Sequence, residues 1–161
     1  MTKRHRNPKV LDRTDRRILE CLQADGRISN VNLARKVNLT PTPCIERVRR
    51  LERRGYIRGY TAILDPDLVD ASLLVFVEID LSHTSPDAFR RFSEEARKLP
   101  EIMDCHLVSG NFDYLIKARV KDMKTYRDLL GEKILSLPFV NGSRSYVVME
   151  EVKETSNLPL F

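Results

Sequence analysis

Residues 40–56 read TPTPCIERVRRLERRGY, two prolines followed by five arginines and two glutamates. Guanidinium groups are permanent cations with a planar fork of donors, so a row of them suits phosphate or the acceptor edge of a base. A second stretch, SGNFD at 109–113, offers different chemistry. Gly110 permits positive φ, where successive backbone N–H groups form an anion-binding nest, and Asp113 sets a carboxylate a few residues away. An N–H cluster with a carboxylate matches the two ends of a zwitterionic amino acid; an ordinary Asn/Asp/Gly turn is the competing reading. His5, His83 and His106 are scattered, and the chain shows no nucleophile elbow, phosphate-binding glycine loop or metal cluster. A binding protein is expected, not an enzyme, with neither metal nor cofactor.

The arginines need a helix to align them. Thr40 or Thr42 can cap one, and Pro41 and Pro43 start it, because proline is tolerated in the first turn where its missing N–H has no intrahelical partner. Ile45, Val48 and Leu51 then share one side. On a helical wheel Thr42, Pro43, Glu46, Arg50 and Arg53 lie opposite, flanked by Arg47, Arg49 and Arg54. Gly55 ends the helix. Two shorter helices precede it: one capped by Asp12 with Ile18, Leu19 and Leu22, stopped by Gly26, and one capped by Ser29 with Val31, Leu33, Ala34 and Val37. Helix, short helix, turn and basic helix form a helix-turn-helix pattern. Residues 56–64 follow as a β-ribbon wing with Arg58 at its tip, placed to meet a phosphate. In this arrangement Arg47 and Arg50 read bases or clamp phosphates. Thr40, Thr42, Pro43 and Glu46 lie at the groove edge, and Arg49, Arg53 and Arg54 add affinity through counterion release. The bland alternative is a solvated bundle whose arginines pair with Glu46 and Glu52, Glu46–Arg50 being an i,i+4 pair.

Residues 65–71 contain Asp65-Pro66-Asp67 and read as a linker. Beyond it come a strand at 72–81, a helix from the Ser85-Pro86-Asp87 cap to 99, strands at 102–108 and 114–120, a helix capped by Asp122 and closed by Pro138, and a last strand within 140–152. The order is βαββαβ, the ferredoxin-like split motif, and the whole chain is α+β. The sheet face away from the helices keeps apolar positions, which a second copy would cover as a symmetric dimer.

Charge divides the chain the same way. The net charge is +5, but residues 1–65 hold 16 Lys/Arg against 7 Asp/Glu, while 66–161 hold 12 against 16. A basic half joined to a mildly acidic half implies two partners, the basic one fitting a polyanion. No apolar run approaches the roughly 18 residues of a bilayer span, and none follows the basic MTKRHRNPKV, so neither membrane helix nor signal peptide is expected. Cys21, Cys44 and Cys105 are widely spaced and odd in number, which fits a reduced, cytoplasmic setting.

LDRTDRRIL at 11–19, DGRISN at 25–30, LTPTPCIERVRRLERRGYIRGY at 39–60, ASLLVFVEI at 71–79, CHLVSGNFDYL at 105–115 and YVVMEEVK at 146–153 together resemble the Lrp/AsnC family of bacterial feast/famine transcription regulators, especially its leucine-responsive branch. The resemblance covers roughly residues 11–155. It implies a winged helix-turn-helix at 11–64 and a ferredoxin-like effector and oligomerisation domain at 72–155, joined by the linker 65–71, while the basic arm at 1–10 and the tail at 156–161 lie outside it. It further implies a cytoplasmic, nucleoid-associated protein that binds double-stranded DNA. Its homodimers would assemble into octamers or larger rings, modulated by a free amino acid bound between effector domains. Leucine is the branch default, with alanine or methionine as alternatives. A mainly architectural DNA-wrapping protein with weak base selectivity is the other reading. Carried onto this chain, the family's effector loop puts Ser109, Gly110, Asn111 and Asp113 at the ligand, with Leu107, Met123, Tyr126, Tyr146 and Val148 as pocket wall. The branch usually reads GDFDY; here GNFDY puts Asn111 in place of an acid and removes a charge near the ligand amine or a subunit contact.

Overall fold

The computed structural model describes residues 11–161, so the basic arm expected at 1–10 lies outside the described residues. The chain forms two compact units, Met1–Ile63 together with Glu154–Phe161, and Leu64–Lys153. The tail therefore belongs with the first unit.

That unit is built from α1 (Arg13–Ala24), α2 (Asn30–Lys36) and α3 (Pro41–Arg53). Asp12 caps α1 by accepting the Asp15 N–H at 2.7 Å, and Ser29 caps α2 by accepting the Asn32 N–H at 3.2 Å. Thr40 occupies the cap position of α3 without a side-chain bond; Pro41 and Pro43 fill the first turn. Gly55, at φ 78°, ends α3 in a Schellman motif: Tyr56 N–H donates to Leu51 C=O at 3.0 Å and Gly55 N–H to Glu52 C=O at 2.9 Å. Asn38, at φ 56°, does the same for α2. Ile18, Leu19, Leu33, Ala34, Val37, Cys44, Val48 and Leu51 make the core. Val31, expected on the apolar side of α2, is 55% exposed.

The β-ribbon expected at 56–64 does not form: no ladder pairs its residues. An isolated two-stranded ribbon is marginal in water, and here Ile63 and Leu64 stay exposed, so no apolar face holds one together. Instead the Tyr60 hydroxyl donates to Glu52 on α3 at 3.0 Å, fastening the segment to the helix. Burial, then the Glu52 carboxylate, push that phenol up to about 12.

The second unit runs β1 (Leu73–Leu81), α4 (Pro86–Ala96), β2 (Ile102–Leu107), β3 (Tyr114–Val120), α5 (Met123–Asp128) and β4 (Val140–Val147), with α5 passing into a π-helical stretch at Leu129–Ile134. The sheet order is β2-β3-β1-β4 and every neighbouring pair is antiparallel, the ferredoxin-like arrangement. One face carries Val75, Val77, Ile79 and Leu81 beside Tyr114, Ile116, Ala118 and Val120, packed with Phe92, Ala96, Tyr126, Leu129 and Ile134 from the helices. The other face follows from the period of two: Phe76 lies between Lys117 and Tyr146, and Glu78 between Leu115 and Arg144. Tyr146 there is 49% exposed.

Candidate nucleic-acid interface and effector loop

The arginines of α3 do not all face solvent. Arg47 Nη1 donates to Asp12 Oδ2 at 2.5 Å and to Asp15 Oδ1 at 2.8 Å, while Arg50 Nη2 donates to both Asp15 oxygens at 2.9 Å. Asp15 is 5% exposed, so its carboxylate requires opposite charge at close range. Arg47 and Arg50 sit three residues apart on α3 and supply it. Arg47 and Arg50, expected to read bases or clamp phosphates, thus also clasp α3 to α1, which the Asp12/Asp15 spacing in LDRTD could have signalled. The Arg47 guanidinium also holds the Asp12 carboxyl below its ordinary range. The Glu46–Arg50 pair of the bland alternative is absent among the described residues, since Arg50 is engaged by Asp15.

What α3 does present is a row at i, i+4, i+7 and i+11: Thr42, Glu46, Arg49 and Arg53, all exposed, beside exposed Pro43. Arg49, Arg53 and Arg58 have no ion pair or hydrogen bond among the described residues. Thr40 and Arg54 are exposed at the two ends of the helix. The surface is cationic and open.

The effector loop departs from expectation more. Among the described residues Gly55 is the one glycine with positive φ, so Gly110 does not form the predicted nest; a Cβ built there meets nothing within 4 Å. Asp113 is half-buried and bound within the sheet. Its Oδ2 accepts the Leu81 N–H at 2.7 Å, its own N–H donates to Ile79 C=O at 2.9 Å, and its C=O accepts the Val108 N–H at 3.0 Å. It finishes the β1 and β3 ends instead of offering an unengaged carboxylate. Tyr126, expected on a pocket wall, is 4% exposed in the core, its hydroxyl paired with Ser145 Oγ. Ser109, Gly110 and Asn111 are exposed, as are Leu107, Met123 and Tyr146; Val148 is half-buried and donates its N–H to Leu74 C=O at 3.0 Å. A cleft of about 430 Å³ is lined by Arg91, Glu94, Glu95, Ser136, Leu137 and Pro138, none of them expected at the site. Among the described residues no group of three or more His, Cys, Asp or Glu side chains is gathered to hold a metal, and no helix is long and apolar enough to cross a membrane.

A helix-turn-helix with an open cationic helix, joined to a ferredoxin-like unit, defines the class of DNA-binding regulators that carry a separate ligand-binding domain. The family described as winged helix-turn-helix DNA-binding matches residues 11–58, and that described as Lrp/AsnC ligand binding domain matches residues 74–158. The chain is 63% identical over 150 residues to the leucine-responsive regulatory proteins of Escherichia coli K12 and Klebsiella pneumoniae, covering 93% of this chain and 92% of each of those. Among solved structures, a transcriptional regulator of Neisseria meningitidis in complex with L-Met superposes with a TM-score of 0.89 at 37% identity, over 93% of this chain and 97% of that one. An AsnC family regulator from Agrobacterium tumefaciens gives 0.88 at 36% identity, over 92% and 96%. The chain belongs to the Lrp/AsnC family and is a ligand-modulated transcription regulator.

Proposed function

We propose that the exposed row Thr42, Glu46, Arg49 and Arg53 enters the major groove of duplex DNA, Thr42 and Glu46 toward the base edges and Arg49 and Arg53 on the flanking phosphates, with Thr40, Pro43 and Arg54 at its margins and Arg58 on a further phosphate, and that a free amino acid alters operator affinity or assembly. The open, uncompensated guanidinium groups of α3 carry this reading. Arg47 and Arg50 fix the angle at which that row is presented. Leucine is the first candidate effector, from the names of the curated relatives; methionine follows from the L-Met complex of the Neisseria regulator, and alanine from size. Ser109, Gly110 and Asn111 contact the ligand in an assembled particle. There the exposed surfaces of Leu107, Met123 and Tyr146 are covered by a second copy, with Val148 behind them. Homodimers, and octamers or larger particles built from them, act on the cytoplasmic nucleoid, and no catalytic step is involved.

A thermal-shift screen of the twenty amino acids tests the effector half. A ligand at a hundredfold its Kd stabilises the native state by about 2.7 kcal/mol, so leucine should raise the melting temperature and an unrelated amino acid should not. No shift with any amino acid would sink the effector assignment. One observation favours the architectural reading: with Arg47 and Arg50 held by Asp15, fewer α3 donors remain for base edges. Selection from random duplexes separates the two, because a selective regulator prefers its sites by roughly a thousandfold or more over random DNA. A wrapping protein would not.

A further inference from the structure

The tail of the chain is seated on the DNA-binding unit. Gln23, on the last turn of α1, donates from Nε2 to the Leu158 C=O at 3.0 Å and accepts the Leu158 N–H on Oε1 at 2.7 Å. A primary amide offers one donor and one acceptor side by side, the pair a neighbouring β-strand would present to an extended residue. Two residues further on, Leu160 packs against the core formed by α1, α2 and α3, whereas Leu158 and Phe161 leave their side chains 70% and 96% exposed. The grip is thus on the main chain of one residue and the side chain of another.

We propose that Gln23 and the adjoining apolar surface form a peptide-binding site whose ligand is the chain's own C-terminal segment, residues 156–161. The chemical class it accepts is an extended peptide with a free main-chain N–H and C=O, followed two positions on by an aliphatic side chain. The exit of the chain from the second unit is fastened as well. Arg119, 9% exposed, donates from Nη2 to both Glu151 carboxylate oxygens at 2.6 and 2.7 Å and from Nη1 to the linker carbonyl of Ala71 at 3.4 Å. The chain thus enters and leaves the second unit beside one guanidinium. Val152 and Lys153 alone separate Glu151 from the first residue counted with the DNA-binding unit. A short covalent connection keeps the tail at high effective concentration, so a weak site suffices.

Amide exchange on the full-length chain tests the contact. In the unsubstituted protein the Leu158 N–H should exchange about tenfold more slowly than in the free peptide 154–161, and Gln23→Ala or Leu160→Asp should abolish that protection. The same variants should leave the circular dichroism of α1–α3 intact, which separates loss of docking from loss of fold. Exchange at the free-peptide rate in the unsubstituted chain overturns the proposal. A short bismaleimide joining Ala24→Cys to Phe161→Cys, with Cys21 and Cys105 changed to Ser, identifies the source of the tail. A product of one-chain mass supports the assignment; a two-chain product assigns the tail to a second copy and overturns it.

Discussion

Replacing Asp15 with Asn tests the clasp that Arg47 and Arg50 form between α3 and α1. The carboxylate accepts from Arg47 once and from Arg50 twice, at 2.8–2.9 Å, and is 5% exposed. Removing one member of a buried ion pair costs about 3–5 kcal/mol, because the other charge stays behind without compensation. Here the Arg47 and Arg50 side chains are 28% and 36% exposed, and Arg47 keeps Asp12, so water and the second carboxylate recover part of that. Arg50 Nε is already buried with no partner, which leaves that residue little further tolerance. We expect a loss of about 2–3 kcal/mol in the first unit. For a unit of that size this lowers its melting temperature by on the order of 10–20 °C. Guanidinium chloride unfolding followed by far-ultraviolet circular dichroism, with amide exchange to separate the two units, reads it. In a double-mutant cycle Asp15→Asn and Arg47→Ala should be coupled by about 1–3 kcal/mol. A loss under about 0.5 kcal/mol, or strict additivity, would refute the clasp.

Asp113→Ala should orphan the Leu81 N–H and cost about 1–3 kcal/mol at the β1 and β3 ends, seen as faster exchange of that amide, whereas Asp113→Asn keeps the acceptor; unchanged exchange with Ala would remove the structural role. Acid should weaken the clasp by linkage. The Asp12 carboxyl is held low by Arg47, so its contribution is fully present above the ordinary aspartate pKa near about 4 and is lost as pH falls through the depressed value. The stability gap between the unsubstituted chain and Asp12→Asn should therefore close on acidification, and a gap independent of pH would contradict that assignment.

Local signals reached the structure intact where neighbours did not overrule them. The Asp12 and Ser29 caps, the proline-initiated start of α3, the Gly55 stop and the βαββαβ order all depend on spacing within a turn or on strand alternation. What spacing left illegible are the engagements whose partner is distant in sequence. Asp15 lies 32 residues from Arg47, and Asp113 lies 32 from Leu81, so periodicity could not show that either was engaged. Tyr126 has the same history: its place on a helix was legible, but Ser145, 19 residues on, draws its hydroxyl into the core. Residues 56–64 failed differently, since β-propensity without a third strand or an apolar face does not make a ribbon. Gln23 and Leu158, 135 residues apart, gave no sequence signal at all.

The salt dependence of duplex binding tests the DNA-facing row most directly. Each phosphate contact contributes about 0.9 to the slope of log K against log salt. Relative to the unsubstituted protein, Arg49→Ala with Arg53→Ala should flatten that slope by about 1.8 and weaken binding by about 1–3 kcal/mol per contact, with the oligomeric state unchanged. A double variant with the original slope and affinity would contradict the account.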